Sequence, residues 1–211
     1  MQMAALVPVV RGLAAALTVV AAICGSAAAQ FLSTPELVSA LKQGGYVIVM
    51  RHATSPSARA DAATAAPGNT RLERQLNENG HKTAQAMGEA LKALRIQIGT
   101  VLSSPTFRTR ETVTDLAVGT PMTFNELGDG SQGYEVSSFR AATIFMQTRA
   151  AEIPPAGTNT LIVTHVPNIE SAFEGMTIDE GEAIILRPDG RWGTPIGRIT
   201  IDQWPRLAGQ R

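Results

Sequence analysis

Cysteine is almost absent from this chain: among 211 residues there is one, Cys24. A disulfide framework within the chain and a cysteine-built zinc cluster are therefore excluded. An excess of one charge is also lacking, with 18 Lys and Arg against 18 Asp and Glu. That balance argues against nucleic acid as a partner, because binding a phosphate backbone normally demands a basic surplus. Long apolar runs are missing too. The longest, Leu13 to Cys24, falls short of the roughly 20 residues that span a bilayer as a helix. What is present is 44% apolar and 17% charged residues, the proportions of a globular domain rather than a disordered chain. At roughly 150 residues per domain the length fits one domain, large enough to bury a core without covalent staples.

The first thirty residues do not read as fold. One charge, Arg11, precedes the apolar run, and small residues follow up to Ala27-Ala28-Ala29. This is the layout of a secretory signal peptide, with cleavage expected after Ala29 and a retained anchor as the alternative. Removing 1–29 leaves 17 basic and 18 acidic residues and no cysteine, hence a formal charge of −1, no stable membrane insertion, and no thiol nucleophile. A periplasmic or secreted location is the expectation, with 30–211 as the folded domain.

Ser33-Thr34-Pro35-Glu36 predicts a capped helix ending at Gly44-Gly45. Tyr46–Met50 and Thr160–Thr164 are short β-branched runs of the kind that fill a parallel sheet covered on both faces. Helices are expected over 78–95, from Ser104-Pro105 to about Ala117, over 138–151, and from Pro167 to Phe173. Further strands are expected at 100–103, 182–187 and 196–201, the last two flanking Pro188-Asp189-Gly190. Residues 53–70 and 119–137 read as long loops, which in a compact domain are usually functional or mobile. Alternation of strands and helices predicts a three-layer α/β/α sandwich with a mostly parallel central sheet.

Two of the three histidines stand in equivalent places. VIVM runs into Arg51-His52, and LIVT runs into His165. In open α/β sheets ligands bind outside the carboxyl ends of the strands, so a pair of such histidines beside an arginine marks a site. His81 is expected to be solvated. Arg108 falls in the first turn of a helix, where it opposes the macrodipole unless an anion is bound. With Arg51 it offers two guanidinium forks for one tetrahedral oxyanion. No P-loop and no clustered Asp for Mg²⁺ are present, and two isolated histidines without a carboxylate at ligand spacing make a poor zinc site.

RHA at 51–53, RQLNENGHKTAQAMGEAL at 74–91, LSSPTFRTRET at 102–112 and VTHVPN at 163–168, in that order, resemble the histidine phosphatase superfamily, in its phosphoglycerate-mutase-like branch 1. The resemblance implies a phosphoglycerate-mutase-like fold, His52 as the nucleophile that takes the phosphoryl group, and Arg51 and Arg108 as holders of its oxygens. His165 would complete the pocket. Glu126 resembles in position the acid that many branch members carry, and Gly128-Asp129-Gly130-Ser131 departs from the usual run, so Asp129 and Glu111 stay open as rivals. Ala53 replaces the commoner Gly. No residue in Thr54–Arg59 matches the Asn of mutase-type members, and Val166 stands where the acid-phosphatase branch carries Asp; both relatives are disfavoured.

The expectation is an exported, metal-independent phosphomonoesterase without cofactors. It would act on small phosphate esters, sugar phosphates included, through a phosphohistidine on His52. The competing expectation is a non-catalytic anion-binding domain of the same fold. A metal-dependent hydrolase is a third, separable by chelation.

Overall fold

The computed structural model describes residues 31–56, 71, 73–129 and 138–210. The signal-peptide segment and most of the loop 53–70, with 130–137 of the second loop, lie outside the described residues. Among those described, six strands form one mixed sheet: β1 (Val47–Arg51), β2 (Ile98–Ser103), β3 (Met122–Thr123), β4 (Asn159–Thr164), β5 (Ala183–Arg187) and β6 (Thr194–Ile199). Their order is β3-β2-β4-β1-β5-β6. The first four in that order pair in parallel, while β5 runs antiparallel to β1 and β6 antiparallel to β5. The Asp-Gly hairpin thus supplies two strands of the sheet.

Among the described residues six helices cover it: α1 (Thr34–Gln43), α2 (Glu78–Ala93), α3 (Phe107–Leu116), α4 (Phe139–Ala151), α5 (Val166–Ala172) and α6 (Gln203–Leu207). The period-two alternation of β1 assigns its side chains to two cores. Ile48 and Met50 join Leu37 of α1, Met87 of α2, Leu116 of α3 and Trp204 of α6. Val47 and Val49 join Met146 of α4 and Ile169 of α5 on the other face. All of β1 except Arg51 is buried, which is why its sequence is continuously apolar rather than alternating. None of the described helices is long and apolar enough to cross a membrane.

Two boundaries move for identifiable reasons. The third helix begins at Phe107 behind Thr106, not at Ser104, because Ser104 Oγ accepts from Thr106 N at 3.3 Å and keeps the turn outside the helix. The last strand stops at Ile199, since Thr200 turns the chain into α6, with Gln203 Oε1 accepting from Thr200 N at 2.8 Å. The edge strand β3 and the 3₁₀ turn Asn125–Leu127 arise within a stretch that has no readable period.

β1 and β4 are neighbours in register, Arg51 opposite Thr164. The residues that follow them, His52 and His165, are therefore delivered side by side at one end of the sheet. His52 N continues the ladder to Thr164 O at 3.1 Å. Helix α2 closes on the backbone just beyond His52: Asn77 N donates to Thr54 O. A Cβ on Gly80 would lie 2.1 Å from that same oxygen, an approach that only glycine permits.

Candidate active site

His52 and His165 are both buried, with ring centroids 5.3 Å apart at 62°. His52 Nδ1 lies 2.8 Å from Ala53 O. A carbonyl only accepts, so Nδ1 carries the hydrogen and Nε2 keeps its lone pair. The backbone around it is pinned on both sides. Gly181 N donates to His52 O at 2.9 Å, and Ala53 N donates to Thr112 Oγ1 of α3 at 3.1 Å. Burial pushes the His52 imidazole down to about 3 against the opposing bond to Ala53 O, and the charges of Arg108, Arg51 and Arg74 push the same way as burial. The ring is therefore neutral near pH 7.

His165 caps α5 at the end of β4. Its Nδ1 is 3.1 Å from Arg108 Nη2, which only donates, so Nδ1 accepts. The hydrogen is then on Nε2, within 2.9 Å of Ser104 Oγ and 3.3 Å of Thr106 Oγ1. Burial holds this imidazole well below its ordinary value, opposed by Asp129 and assisted by Arg108 and His52.

Arg108 rises from the first turn of α3 and is 2% exposed. Its Nη2 donates to Asp129 Oδ2 at 2.5 Å, and the same oxygen is 3.6 Å from His165 Nδ1. The VTHVPN segment holds Asp129 there. Thr164 Oγ1 donates to Leu127 O at 2.7 Å, and Asn168 Nδ2 donates to Gly128 O at 2.9 Å. The amide at the start of α3 is taken by the protein's own anion, since Phe107 N donates to Glu73 Oε2 at 2.7 Å.

Residues 47–127 match the histidine phosphatase superfamily (branch 1). This segment carries His52, Arg51, Arg108 and the α2 stretch between them. No curated protein matches the chain by sequence. Among solved structures, the protein histidine phosphatase SixA complexed with tungstate is similar in fold, with a TM-score of 0.54 at 18% identity over 75% of this chain and 98% of that one. A phosphohistidine phosphatase SixA of Agrobacterium tumefaciens, so described provisionally, aligns with a TM-score of 0.50 at 19% identity over 74% and 98%. At such identities the likeness concerns the phosphoglycerate-mutase-like fold.

Three superfamily positions gain detail. Arg51, the last residue of β1, donates from Nη1 to Ile178 O at 3.3 Å and from Nη2 to Glu180 Oε1 at 3.1 Å. Ala53 is fully buried in the core beneath α2 and α3, so its methyl group occupies packed space. Of the three candidate acids, Asp129 is the one in contact with Arg108. Glu126 is half-buried on the 3₁₀ turn with no side-chain hydrogen bond among the described residues. Glu111 accepts from Leu76 N at 2.9 Å and faces α2, its carboxyl raised chiefly by burial.

Sequence reasoning missed Arg74, Glu180 and Thr112. Arg74 donates to Ser55 Oγ at 2.7 Å, Ser55 O at 3.0 Å and Glu180 Oε1 at 3.1 Å. Its charge reaches His52, Arg108 and His165. The signal available was its place at the head of the α2 stretch, after a loop. His81 is also corrected. Far from being simply solvated, its Nδ1 meets Asp115 Oδ2 at 2.6 Å and ties α2 to α3.

Proposed function

We propose that this protein is a phosphomonoesterase that works through a phosphohistidine on His52. The observation that carries the reading is a buried, neutral imidazole whose Nδ1–H is spent on Ala53 O, leaving Nε2 as nucleophile beside three guanidinium groups. Nε2 attacks phosphorus and the P–O bond to the alcohol breaks. The alkoxide takes a proton from a carboxylic acid, and the same carboxylate later takes one from the water that hydrolyses the phosphohistidine. Charge on the equatorial oxygens is met by Arg51 and Arg108, with Arg74 adding to the field and His165 orienting Arg108 through Nδ1. For the acid we assign Asp129, because its carboxyl group reaches the phosphate-holding Arg108 and His165, and a phosphoryl group that takes Arg108 from it removes the charge that keeps it ionised; Glu126, on the preceding 3₁₀ turn, is the alternative.

The proposed reaction needs no metal, because Arg51, Arg74 and Arg108 around His52 would supply the positive charge that a metal ion otherwise supplies at the phosphoryl group. Small phosphate esters are the substrate class, with sugar phosphates the first to assay. Residues 1–29 support export; N-terminal sequencing of the protein recovered outside the cytoplasm would read residue 30 first.

Hydrolysis of p-nitrophenyl phosphate in the presence of chelator by wild type, lost in His52→Ala, is the expected result. A second reading is anion binding without turnover, in which Asp129 stays ionised against Arg108 and donates no proton. Phosphate binding with no hydrolysis by wild type would establish that reading instead.

A further inference from the structure

Two of the guanidinium groups around His52 share one oxygen atom. Arg51 Nη2 and Arg74 Nη2 each lie 3.1 Å from Glu180 Oε1. Like charges held so close repel and would splay unless a carboxylate stood between them. The other oxygen of Glu180 accepts from Ser55 N at 3.3 Å, so the carboxylate also touches the chain three residues beyond His52.

Glu180 does not depend on the arginines for its place. The turn that bears it is built into the sheet on either side. Gly181 N donates to His52 O at 2.9 Å, and Arg51 N donates to Glu182 O at 3.2 Å. Glu182 is in turn clamped by Arg198 at 2.7 and 2.8 Å and closes the turn by accepting from Asp179 N at 3.0 Å. Gly181 has φ +76°, and a Cβ there would meet Ile201 at 2.8 Å, so the turn is tightly specified.

The donors that remain tell what the arrangement is for. Among the described residues Arg51 uses one N–H on Ile178 O and one on Glu180, which leaves three of its five. Arg74 uses Nε–H and both Nη2 hydrogens, which leaves the two on Nη1. We infer that Glu180 is a positioning residue of the phosphate site, a fixed carboxylate that carries Arg51 and Arg74 as a pair and leaves their remaining N–H groups for the phosphoryl oxygens. It holds geometry at the expense of attraction: its negative charge lowers the pull of the pair on an anion while it fixes their orientation for the transfer step.

This rests on the phosphatase reading, and the test separates the two. Glu180→Gln removes the charge and keeps the shape. The expected result is a kcat at least tenfold lower with p-nitrophenyl phosphate, while inorganic phosphate inhibits as tightly as in wild type or up to several-fold more tightly. Glu180→Asp restores the charge and is expected to recover part of the lost kcat, and it serves as the reference should the Gln variant unfold. An unchanged kcat in Glu180→Gln, or phosphate inhibition weakened along with kcat, overturns the assignment. Calorimetric titration with inorganic phosphate reads the binding arm without turnover: weaker binding by Glu180→Gln overturns the assignment even if wild type proves inactive, and inactivity of wild type sinks only the phosphatase reading.

Discussion

The protonation of His52 should be visible in the stability of the whole domain. The folded imidazole titrates at about 3, and an unfolded one at roughly 6.5. Between those values the unfolded chain binds more protons, so stability rises with pH across that window. It is fully present above pH 6.5 and is lost as pH falls towards 3. At 1.36 kcal/mol per pKa unit, acidification from pH 8 to pH 5 removes about 2 kcal/mol through this one side chain. His165, lowered by its own burial, contributes in the same direction. Carboxylates blur the picture below pH 5, so the comparison needs a reference. His52→Asn supplies one, because its side-chain amide can replace Nδ1–H on Ala53 O without titrating. Urea unfolding at pH 8, 7, 6 and 5 should show wild type losing about 2 kcal/mol more than the variant over the range. Parallel curves would refute the reasoning, since they would mean that His52 accepts a proton as easily folded as unfolded.

Other outcomes follow from the same geometry. Thr112→Val leaves Ala53 N buried without a partner and should cost about 1–3 kcal/mol in urea unfolding, with a fall in kcat because that amide adjoins His52, the proposed nucleophile. Asp129→Asn should slow hydrolysis of an alkyl phosphate at least tenfold more than that of p-nitrophenyl phosphate, whose leaving group needs little help from an acid. Glu126→Gln should affect the two equally; the reverse pattern would move the acid to Glu126. Gly80→Ala forces a methyl group against Thr54 O and should lower both thermal stability and kcat by displacing the chain after His52.

The strands were legible because burial on both faces demands uninterrupted apolar residues, and VIVM and LIVT have little other use. That made the placement of His52 and His165 readable as well, since a residue just past such a run has nowhere to go but the strand end. Arg108 was readable from its position in a helix's first turn. Arg74 and Glu180 were not. Each is one charged residue in an irregular segment, and such residues are ordinarily solvated. Their meeting depends on β5 returning antiparallel beside β1, a choice of sheet order that local patterning does not encode. The helix start expected at Ser104 was misplaced for a related reason: the neighbouring β4 brings His165 to the Ser104 hydroxyl, and the helix opens only at Phe107. Glu73, from the segment before α2, puts its carboxylate at the start of α3 and takes the role that the sequence left for a bound anion.

The side-by-side delivery of the two imidazoles by β1 and β4 has a consequence for inactivation. A slip of one residue between these strands would carry one ring roughly 3.3 Å along and turn it to the opposite face. Near-native molecules with that fault would keep their secondary structure and most of their compactness yet be chemically silent. Slow hydrogen exchange at the His52 amide, which closes the ladder onto Thr164, would then track catalytic competence more faithfully than any measure of overall folding.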